Sequence, residues 1–260
     1  MTTTRSYSLP DFLKVVAHET RWRMLTQLAA SEYSIAELSI ALREPQSIVA
    51  DHIQMLHDQG LITQRRSVSD EHIQYYSFDL EAVRAQYVQI GEALHPSLFS
   101  SSQFPQPPVT APAKKIARVL FLCTENSARS QMAEALLTSI SHGTVEAASA
   151  GSNPTQIHPY ALRALAAVGI DINQRKSKHV DQFLDQTFDR IITLCDRMHE
   201  ACLHISNDPH CLHWGFPDPA GVQGTEEQKY RAFEQTGLQL ATRIRYLLIF
   251  LEREKRRKDG

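Results

Sequence analysis

The sequence predicts two folded domains: a mainly α-helical domain with a β-hairpin, and an α/β domain with a parallel sheet flanked by helices. Short amphipathic helical segments fill the first third of the chain. Residues 96–115 are rich in proline and serine and lack apolar periodicity, which is typical of an extended linker. Buried-strand patterns with helical segments follow. We therefore divide the chain into residues 1–95, 96–115 and 116–260.

The amino-acid composition and the net charge indicate a globular protein. The chain has 260 residues, 42% of them hydrophobic, and a formal net charge of −2, which suits a globular protein. No apolar run approaches the roughly 20 residues of a membrane span, and the first residues contain no signal-peptide core. We expect a cytoplasmic protein with no membrane partner. All four cysteines lie in residues 116–260, the predicted second domain. A reducing compartment favours catalytic or metal-binding roles for them.

Two helices joined by a tight turn are predicted in the first domain. Ser34 and Glu37 form a capping box that begins a short helix ending near Leu42. A second helix begins with Pro45 in its first turn and ends at Gly60. This pair is a helix-turn-helix candidate.

A β-hairpin follows these helices. The segments LITQRRSV and HIQYYSF flank the polar SDE, which predicts the two strands of a wing, and a last helix is predicted near Leu80–Leu94. This order of elements, together with AHETRWRMLTQLA at 17–29 and SIVADHIQMLHDQGLI at 47–62, resembles the ArsR/SmtB family of winged-helix repressors. The resemblance covers about residues 9–94 and predicts a winged helix-turn-helix domain.

The resemblance implies a homodimer, formed through the first and last helices, that places the helix beginning at Pro45 in the major groove of operator DNA. The outward face of that helix would carry Gln46, Ser47, Ala50 and Gln54, while His52, Arg65 and Arg66 would contact phosphates. Residues 1–94 hold 8 Lys and Arg against 12 Asp and Glu, a net charge of −4, so protein contacts remain an alternative. Because two wing arginines in a dimer concentrate positive charge, we favour DNA binding.

The segment CTENSARS, residues 123–130, joins a predicted buried strand, IARVLFLC, to a predicted helix, ARSQMAEALLTSI. The loop therefore ends at a helix N-terminus, where backbone N–H groups and the helix dipole form a cradle for a tetrahedral oxyanion. The predicted oxyanion-binding residues are Thr124, Glu125, Asn126, Ser127 and Ala128.

Four side chains are predicted to carry the chemistry. Arg129 would clamp two oxygens of the anion, and the same positive field would lower the pKa of Cys123, which we expect to be a thiolate at neutral pH. Ser130 would donate a hydrogen bond to that thiolate. This spacing predicts attack by sulfur on the central atom of phosphate or an analogue. Asp218, in HWGFPDPAG, would protonate the leaving oxygen as general acid.

These patterns resemble the low-molecular-weight protein tyrosine phosphatase fold, and more closely its thioredoxin-coupled arsenate reductase branch. The resemblance covers about residues 116–250 and includes FLCTENSARSQMAEALL, SAGSNP, ALAAVGIDINQRKSKHV and RIITLC. It implies that Cys123 attacks arsenate, that Cys195 attacks Cys123 and releases arsenite, and that Cys202 then attacks Cys195. Thioredoxin would reduce the final disulfide, and no tightly bound cofactor is implied.

Two positions depart from the family pattern. Glu125 stands where relatives commonly carry glycine in a loop with unusual backbone angles, so we expect its carboxylate to point outward. Lys178 stands where some relatives have an acidic residue that helps to bind potassium beside the loop. The other residues matching that ion site are Asn126, Glu134 and Ser149. We expect the Lys178 ammonium to replace the ion.

An additional cysteine, Cys211, lies outside the relay, and we expect its loss to be nearly silent. The segment 195–214 holds three cysteines and four histidines, which could bind zinc or arsenite. Because structural zinc sites use closely spaced cysteine pairs, we predict no metal site. The favoured function is a transcriptional regulator fused to an arsenate reductase. The alternatives are a repressor whose phosphatase-like domain senses an oxyanion or oxidant, and a tyrosine phosphatase tethered to DNA.

Overall fold

The computed structural model of the chain describes residues 9–94, 115–205 and 211–259. These residues form two compact units, each with its own hydrophobic core. The predicted linker lies outside the described residues, except for Lys115. Within the described ranges, no helix is long and apolar enough to cross a membrane.

The first unit is the predicted winged helix-turn-helix. Its elements are α1 Asp11–Val16, α2 Glu19–Leu28, α3 Ile35–Leu42, α4 Gln46–Asp58, β1 Ile62–Arg66, β2 Gln74–Phe78 and α5 Leu80–Leu94. The strands β1 and β2 pair antiparallel, with Ile62 opposite Phe78 at one end and Arg66 opposite Gln74 at the other. The apolar face of α4 packs into the core with α2 and α3, which orients the rest of α4 toward solvent.

Local sequence signals determine both ends of the turn between α3 and α4. The Ser34 hydroxyl accepts from the Glu37 amide at 3.3 Å, and the Glu37 carboxylate accepts from the Ser34 amide at 2.7 Å, which confirms the capping box. Arg43 ends α3 with a left-handed backbone, φ 57°. Pro45 is the N-cap residue of α4. The helix therefore begins at Gln46, one position later than predicted.

The second unit is an α/β domain with a parallel sheet, as predicted. Its elements are β3 Ala117–Cys123, α6 Arg129–Ile140, β4 Val145–Gly151, α7 Pro159–Ala166, β5 Arg190–Thr193, α8 Asp196–Ile205, β6 Cys211–His213 and α9 Glu226–Asp259. The strand order is β4-β3-β5-β6, and each neighbouring pair is parallel. Strand β3 is buried along almost its whole length, which explains its unbroken apolar run.

The order of the strands creates the site. The chain passes from β3 to β4 on one side and later places β5 on the other side of β3, so the loops after β3 and β5 diverge. Such a point leaves a crevice at the carboxyl ends of the strands. Strand β3 ends at Cys123, whereas β5 ends at Thr193. Cys195, the last residue of the RIITLC motif, lies beyond β5 in the bend that leads into α8.

Candidate active site

The loop between β3 and α6 approaches the end of β4 closely. A Cβ atom on Gly151 would lie 2.5 Å from the carbonyl oxygen of Thr124 and 2.8 Å from the amide nitrogen of Asn126. Both neighbours are backbone atoms, so they cannot turn aside for a side chain. Gly151 is therefore required for the shape of the loop. Gly151 lies inside the SAGSNP motif, and it is a site residue that we did not predict.

Asn126 organises the loop from its centre. Its backbone is left-handed, φ 49°, a conformation that asparagine tolerates better than most residues. The side-chain nitrogen donates to the hydroxyls of Ser130 at 2.8 Å and Ser149 at 2.9 Å. The side-chain oxygen accepts from Gln131 Nε2 at 3.0 Å and from the amide of Lys178 at 2.8 Å. Every hydrogen-bonding position of this buried amide is used.

Cys123 lies beneath the loop and is 2% exposed. Its sulfur is 2.9 Å from Ser130 Oγ, and since that oxygen accepts from Asn126, its own hydrogen can point at the sulfur. Burial raises the pKa of the Cys123 thiol, whereas the hydrogen bond from Ser130 and the charge of Arg129 lower it. Burial has the largest effect, so our expectation of a lowered pKa and a thiolate at neutral pH is wrong for this structure.

Arg129 and Asp218, the predicted clamp and general acid, contact each other. One nitrogen of the Arg129 guanidinium donates to Asp218 Oδ2 at 3.0 Å, and another donates to the carbonyl of Phe216 at 2.9 Å. The other Asp218 oxygen accepts from the amide of Ala220 at 3.1 Å and caps a 3₁₀ turn. The Arg129 side chain is 11% exposed and that of Asp218 is 50% exposed. An anion in the loop would therefore compete with Asp218 for Arg129.

The structure explains how the loop tolerates Glu125. The left-handed angle falls at Asn126, so glycine is not needed one position earlier. The Glu125 side chain is exposed, and its carboxylate accepts from the hydroxyls of Ser127 at 3.1 Å and Thr155 at 3.3 Å. These two bonds agree with the outward position that we expected.

Lys178 lies beside the residues that match the ion site of relatives. Its ammonium is 3.1 Å from Glu134 Oε2, and Arg175 is 2.9 Å from Glu134 Oε1. Ser149 donates to the same carboxylate at 2.5 Å. Two cations thus neutralise this carboxylate, which is only 13% exposed, and a hydroxyl donates a hydrogen bond to it. The Lys178 ammonium therefore lies beside Glu134 and Ser149, where we expected it to replace potassium.

The remaining cysteines form two further contacts, and none of the four cysteines is in a disulfide. Cys195 Sγ lies 3.4 Å from the hydroxyl of Thr124, the residue that follows Cys123. Cys202 is in α8 and is 8% exposed, and its sulfur lies 3.1 Å from that of Cys211. Cys211, which we predicted to lie outside the relay, is thus next to one of the relay cysteines. Among the described residues, no three ligating side chains are grouped to hold a metal ion.

The helix-turn-helix unit exposes most of the predicted DNA contacts. The side chains that are exposed are Gln46, Ser47 and Gln54 on α4 and Arg66 on β1, whereas Ala50 is half-buried. Arg65 instead binds the buried carboxylate of Glu32, with nitrogen to oxygen distances of 2.8 and 2.7 Å. Arg66 is thus the wing cation that remains directed outward.

His52 differs from its predicted role. It is partly buried, its Nδ1 lies 3.5 Å from an Arg21 nitrogen, and its ring lies 4.6 Å from that of His18. Burial lowers the pKa of His52, and the neighbouring His18 and Arg21 lower it further. The lowered pKa disfavours the charged form of His52 in this structure.

Comparison with known proteins identifies both units. Residues 118–257, more than half of the chain, match the model of the low molecular weight phosphotyrosine protein phosphatase family. The chain belongs to that family. Residues 18–64 match the model of bacterial regulatory proteins of the arsR family. The protein is therefore a fusion of an ArsR-family helix-turn-helix domain with a low molecular weight phosphatase-family domain.

Several relatives of the phosphatase-family domain are arsenate reductases. The arsenate reductase of Halalkalibacterium halodurans is 36% identical over 127 residues, which are 49% of this chain and 91% of the relative. That of Oceanobacillus iheyensis is 38% identical over 137 residues, 51% of this chain and 94% of the relative. A solved structure of an arsenate reductase in the phosphate binding state is 27% identical, covers 52% of this chain and 98% of that chain, and has a TM-score of 0.43.

Proposed function

We propose that this protein is a cytoplasmic transcriptional regulator fused to an arsenate reductase whose cysteine relay is reduced by thioredoxin. The observation that carries the reductase assignment is the position of Cys195, 3.4 Å from Thr124 in the loop that begins at Cys123. Hydrolysis of a phosphate ester requires a single nucleophilic thiol, but reduction requires a second thiol to complete a two-electron transfer. The arsenate reductases among the relatives support the same assignment.

Binding begins with an exchange of partners. Arsenate would enter the loop against its backbone N–H groups and take the Arg129 guanidinium from Asp218, which it now contacts at 3.0 Å. Arginine suits this exchange because its planar fork binds two oxygens of either partner. Asp218, released from the ion pair, takes up a proton from solvent and then serves as the general acid. The same exchange would serve phosphate, which has the same shape and charge.

The first chemical step forms a bond between Cys123 and arsenic. Because Cys123 rests as a thiol, its proton must leave as the sulfur attacks, and an oxygen of the arsenate dianion is the nearest base that the substrate itself supplies. An As–O bond breaks as the S–As bond forms. The leaving oxygen receives a proton from Asp218 and departs as water.

The second step reduces arsenic. Cys195 attacks the sulfur of Cys123, a disulfide forms, and the electron pair of the S–As bond remains on arsenic, which leaves as arsenite. Cys202 then attacks Cys195, which releases Cys123 for another cycle. The dithiol of thioredoxin reduces the disulfide that remains.

The decisive experiment is an assay that couples arsenate to NADPH consumption through thioredoxin and thioredoxin reductase, run beside hydrolysis of p-nitrophenyl phosphate. Cys123→Ser should abolish both activities. Cys195→Ser should abolish repeated reduction of arsenate and leave ester hydrolysis intact. Rapid ester hydrolysis without arsenate-dependent NADPH consumption in the unmodified protein would instead favour a phosphatase.

The regulator part of the proposal concerns the first unit. We propose that it dimerises and binds palindromic operator DNA through the exposed face of α4 and through Arg66. Residues 1–95 contain no cysteine, so they cannot bind arsenite through thiolates. Any response of the full-length protein to arsenite would then depend on Cys195, Cys202 and Cys211.

This part is tested by fluorescence anisotropy with labelled operator DNA. The isolated segment 1–100 should bind DNA and keep it when arsenite is added. If the full-length protein responds, a triple substitution of Cys195, Cys202 and Cys211 by serine should remove the response. Release of the isolated segment by arsenite would contradict the proposal, because no residue in it provides a thiolate.

A further inference from the structure

The folded helix α8 separates two thiols that the relay must join. Cys195 immediately precedes α8, and Cys202 is its seventh residue. Seven residues of α-helix rise about 10 Å, whereas the Cα atoms of a disulfide lie within about 7 Å. A disulfide between Cys195 and Cys202 therefore requires α8 to unwind.

Unwinding would disturb buried groups. Asp196, the first residue of α8, accepts a hydrogen bond from His213 Nε2 at 3.0 Å, and both side chains are at most 3% exposed. Met198 is 5% exposed and packs against β3 beside Leu120 and Leu122. Losing these contacts raises the free energy of the form that carries the Cys195–Cys202 disulfide.

Cys211 offers a second partner to Cys202 without this cost. It is the first residue of β6, is only half-buried, and pairs with Ile191 of β5 in the sheet. Its sulfur is 3.1 Å from that of Cys202 while α8 is intact, and a disulfide needs an approach of only about 1 Å more. The folded helix thus favours a bond to Cys211 over a bond to Cys195.

We propose that Cys211 is a fourth thiol of the relay and that the Cys202–Cys211 disulfide is the form that the external reductant reduces. This extension rests on the proposed function. The Cys211 thiolate attacks Cys202 in the Cys195–Cys202 disulfide, a new S–S bond forms, and Cys195 leaves as a thiolate that takes up a proton. The two oxidising equivalents come from arsenate. Helix α8 can rewind once the bond between Cys195 and Cys202 is broken. Our earlier expectation that loss of Cys211 is nearly silent is replaced by this assignment.

Trypsin separates the possible disulfides because Arg197 lies between Cys195 and Cys202, whereas no lysine or arginine lies between Cys202 and Cys211. A Cys195–Cys202 disulfide joins two tryptic peptides, but a Cys202–Cys211 disulfide closes a ring inside the peptide 198–229 that has lost two hydrogens. The experiment oxidises the full-length protein with one equivalent of arsenate or, separately, with diamide. It then blocks remaining thiols with N-ethylmaleimide and measures peptide masses.

We expect the ring inside peptide 198–229 to exceed the Cys195–Cys202 linkage at least about tenfold, since keeping one large apolar side chain buried suffices for that ratio. The variant Cys211→Ser should accumulate the Cys195–Cys202 disulfide after oxidation, and Cys211→Ala, a second variant, should do the same. A dominant Cys195–Cys202 linkage in the unmodified protein after arsenate treatment would overturn the proposal. If arsenate leaves every thiol reduced while diamide closes the ring, the reductase assignment fails and the pairing of Cys202 with Cys211 is supported.

Discussion

Cys123 and Cys202 are both almost completely buried, 2% and 8% exposed, but their surroundings differ. The sulfur of Cys123 faces Ser130 within a network in which Asn126 uses all its hydrogen-bonding positions. The sulfur of Cys202 faces another sulfur at 3.1 Å, on a helix that must unwind before it can meet Cys195. The first environment suits the anion binding that we propose, and the second suits the exchange of disulfide partners that we propose.

Among substitutions that separate the two environments, Gly151→Ala is expected to have the largest effect on activity. The new Cβ would collide with backbone atoms of Thr124 and Asn126, so the anion loop would have to move. We expect arsenate reduction to fall at least about 100-fold, the usual result of misplacing a catalytic group by 1 Å. Diamide should still close the Cys202–Cys211 disulfide.

Gly221→Ala is the matched control, since the nearest atom to its new Cβ is the Asp218 side chain at 4.0 Å. It should retain most activity. Normal turnover by the Gly151→Ala protein would show that the loop is less rigid than its contacts indicate.

A smaller effect is expected for Asn126→Ala. It removes both halves of the central amide and leaves a non-glycine residue in a left-handed conformation. The free energy of unfolding, measured by urea denaturation, should fall by about 2–4 kcal/mol. The exposed Asn153 provides a control, and its replacement by alanine should change stability by less than about 0.5 kcal/mol.

The next prediction concerns the pKa of Cys123. A raised pKa leaves little thiolate at neutral pH, so alkylation of Cys123 by iodoacetamide should rise with pH and continue to rise above about 8.5, the ordinary value for cysteine. Mass measurement of the tryptic peptide 119–129 follows this residue alone. A rate that is already constant from pH 6 to 9 would show a thiolate at rest.

Ser130→Ala sharpens the same test. Removing the hydroxyl deletes an interaction that lowers the pKa of Cys123, so alkylation at pH 7 should become several-fold slower. The exposed Ser152 is the matched control, and its replacement by alanine should have no effect.

The smallest effect concerns Lys178. Its ammonium already neutralises Glu134, so exchanging potassium for sodium should leave turnover of the unmodified protein unchanged. Lys178→Asp should create a preference of about two- to threefold for potassium, because a second carboxylate then lies beside Glu134. Lys176→Asp, on a neighbouring residue outside this contact, should remain insensitive. Strong potassium dependence of the unmodified protein would contradict the prediction.

Features that depend on residues close together in the chain were predicted correctly from the sequence. The capping box of Ser34 and Glu37, the buried strand that ends at Cys123 and the helix that begins at Arg129 all follow from spacing within a few positions. The parallel pairing of the strands was also predicted, because the apolar run of β3 is typical of a strand buried on both faces.

Other features could not be predicted because residues far apart in the sequence create them. Arg129 and Asp218 meet across 89 positions, and nothing local indicates that the clamp and the acid are partners at rest. Gly151 approaches Thr124 only because β4 is hydrogen-bonded to β3. Arg65, a predicted phosphate contact, is held by Glu32 because the wing packs beside the segment that precedes α3.

The sequence by itself predicted the chemistry that we propose for this protein, since the Cys-x5-Arg loop requires only a strand, a helix N-terminus and the residues between them. Tertiary structure decided the state and the partners of the thiols. The pKa of Cys123 is raised because several elements bury its sulfur, and burial is the sum of many distant contacts. Cys202 lies beside Cys211 because α8 packs on β6, and the register of β6 on β5 sets the position of Cys211.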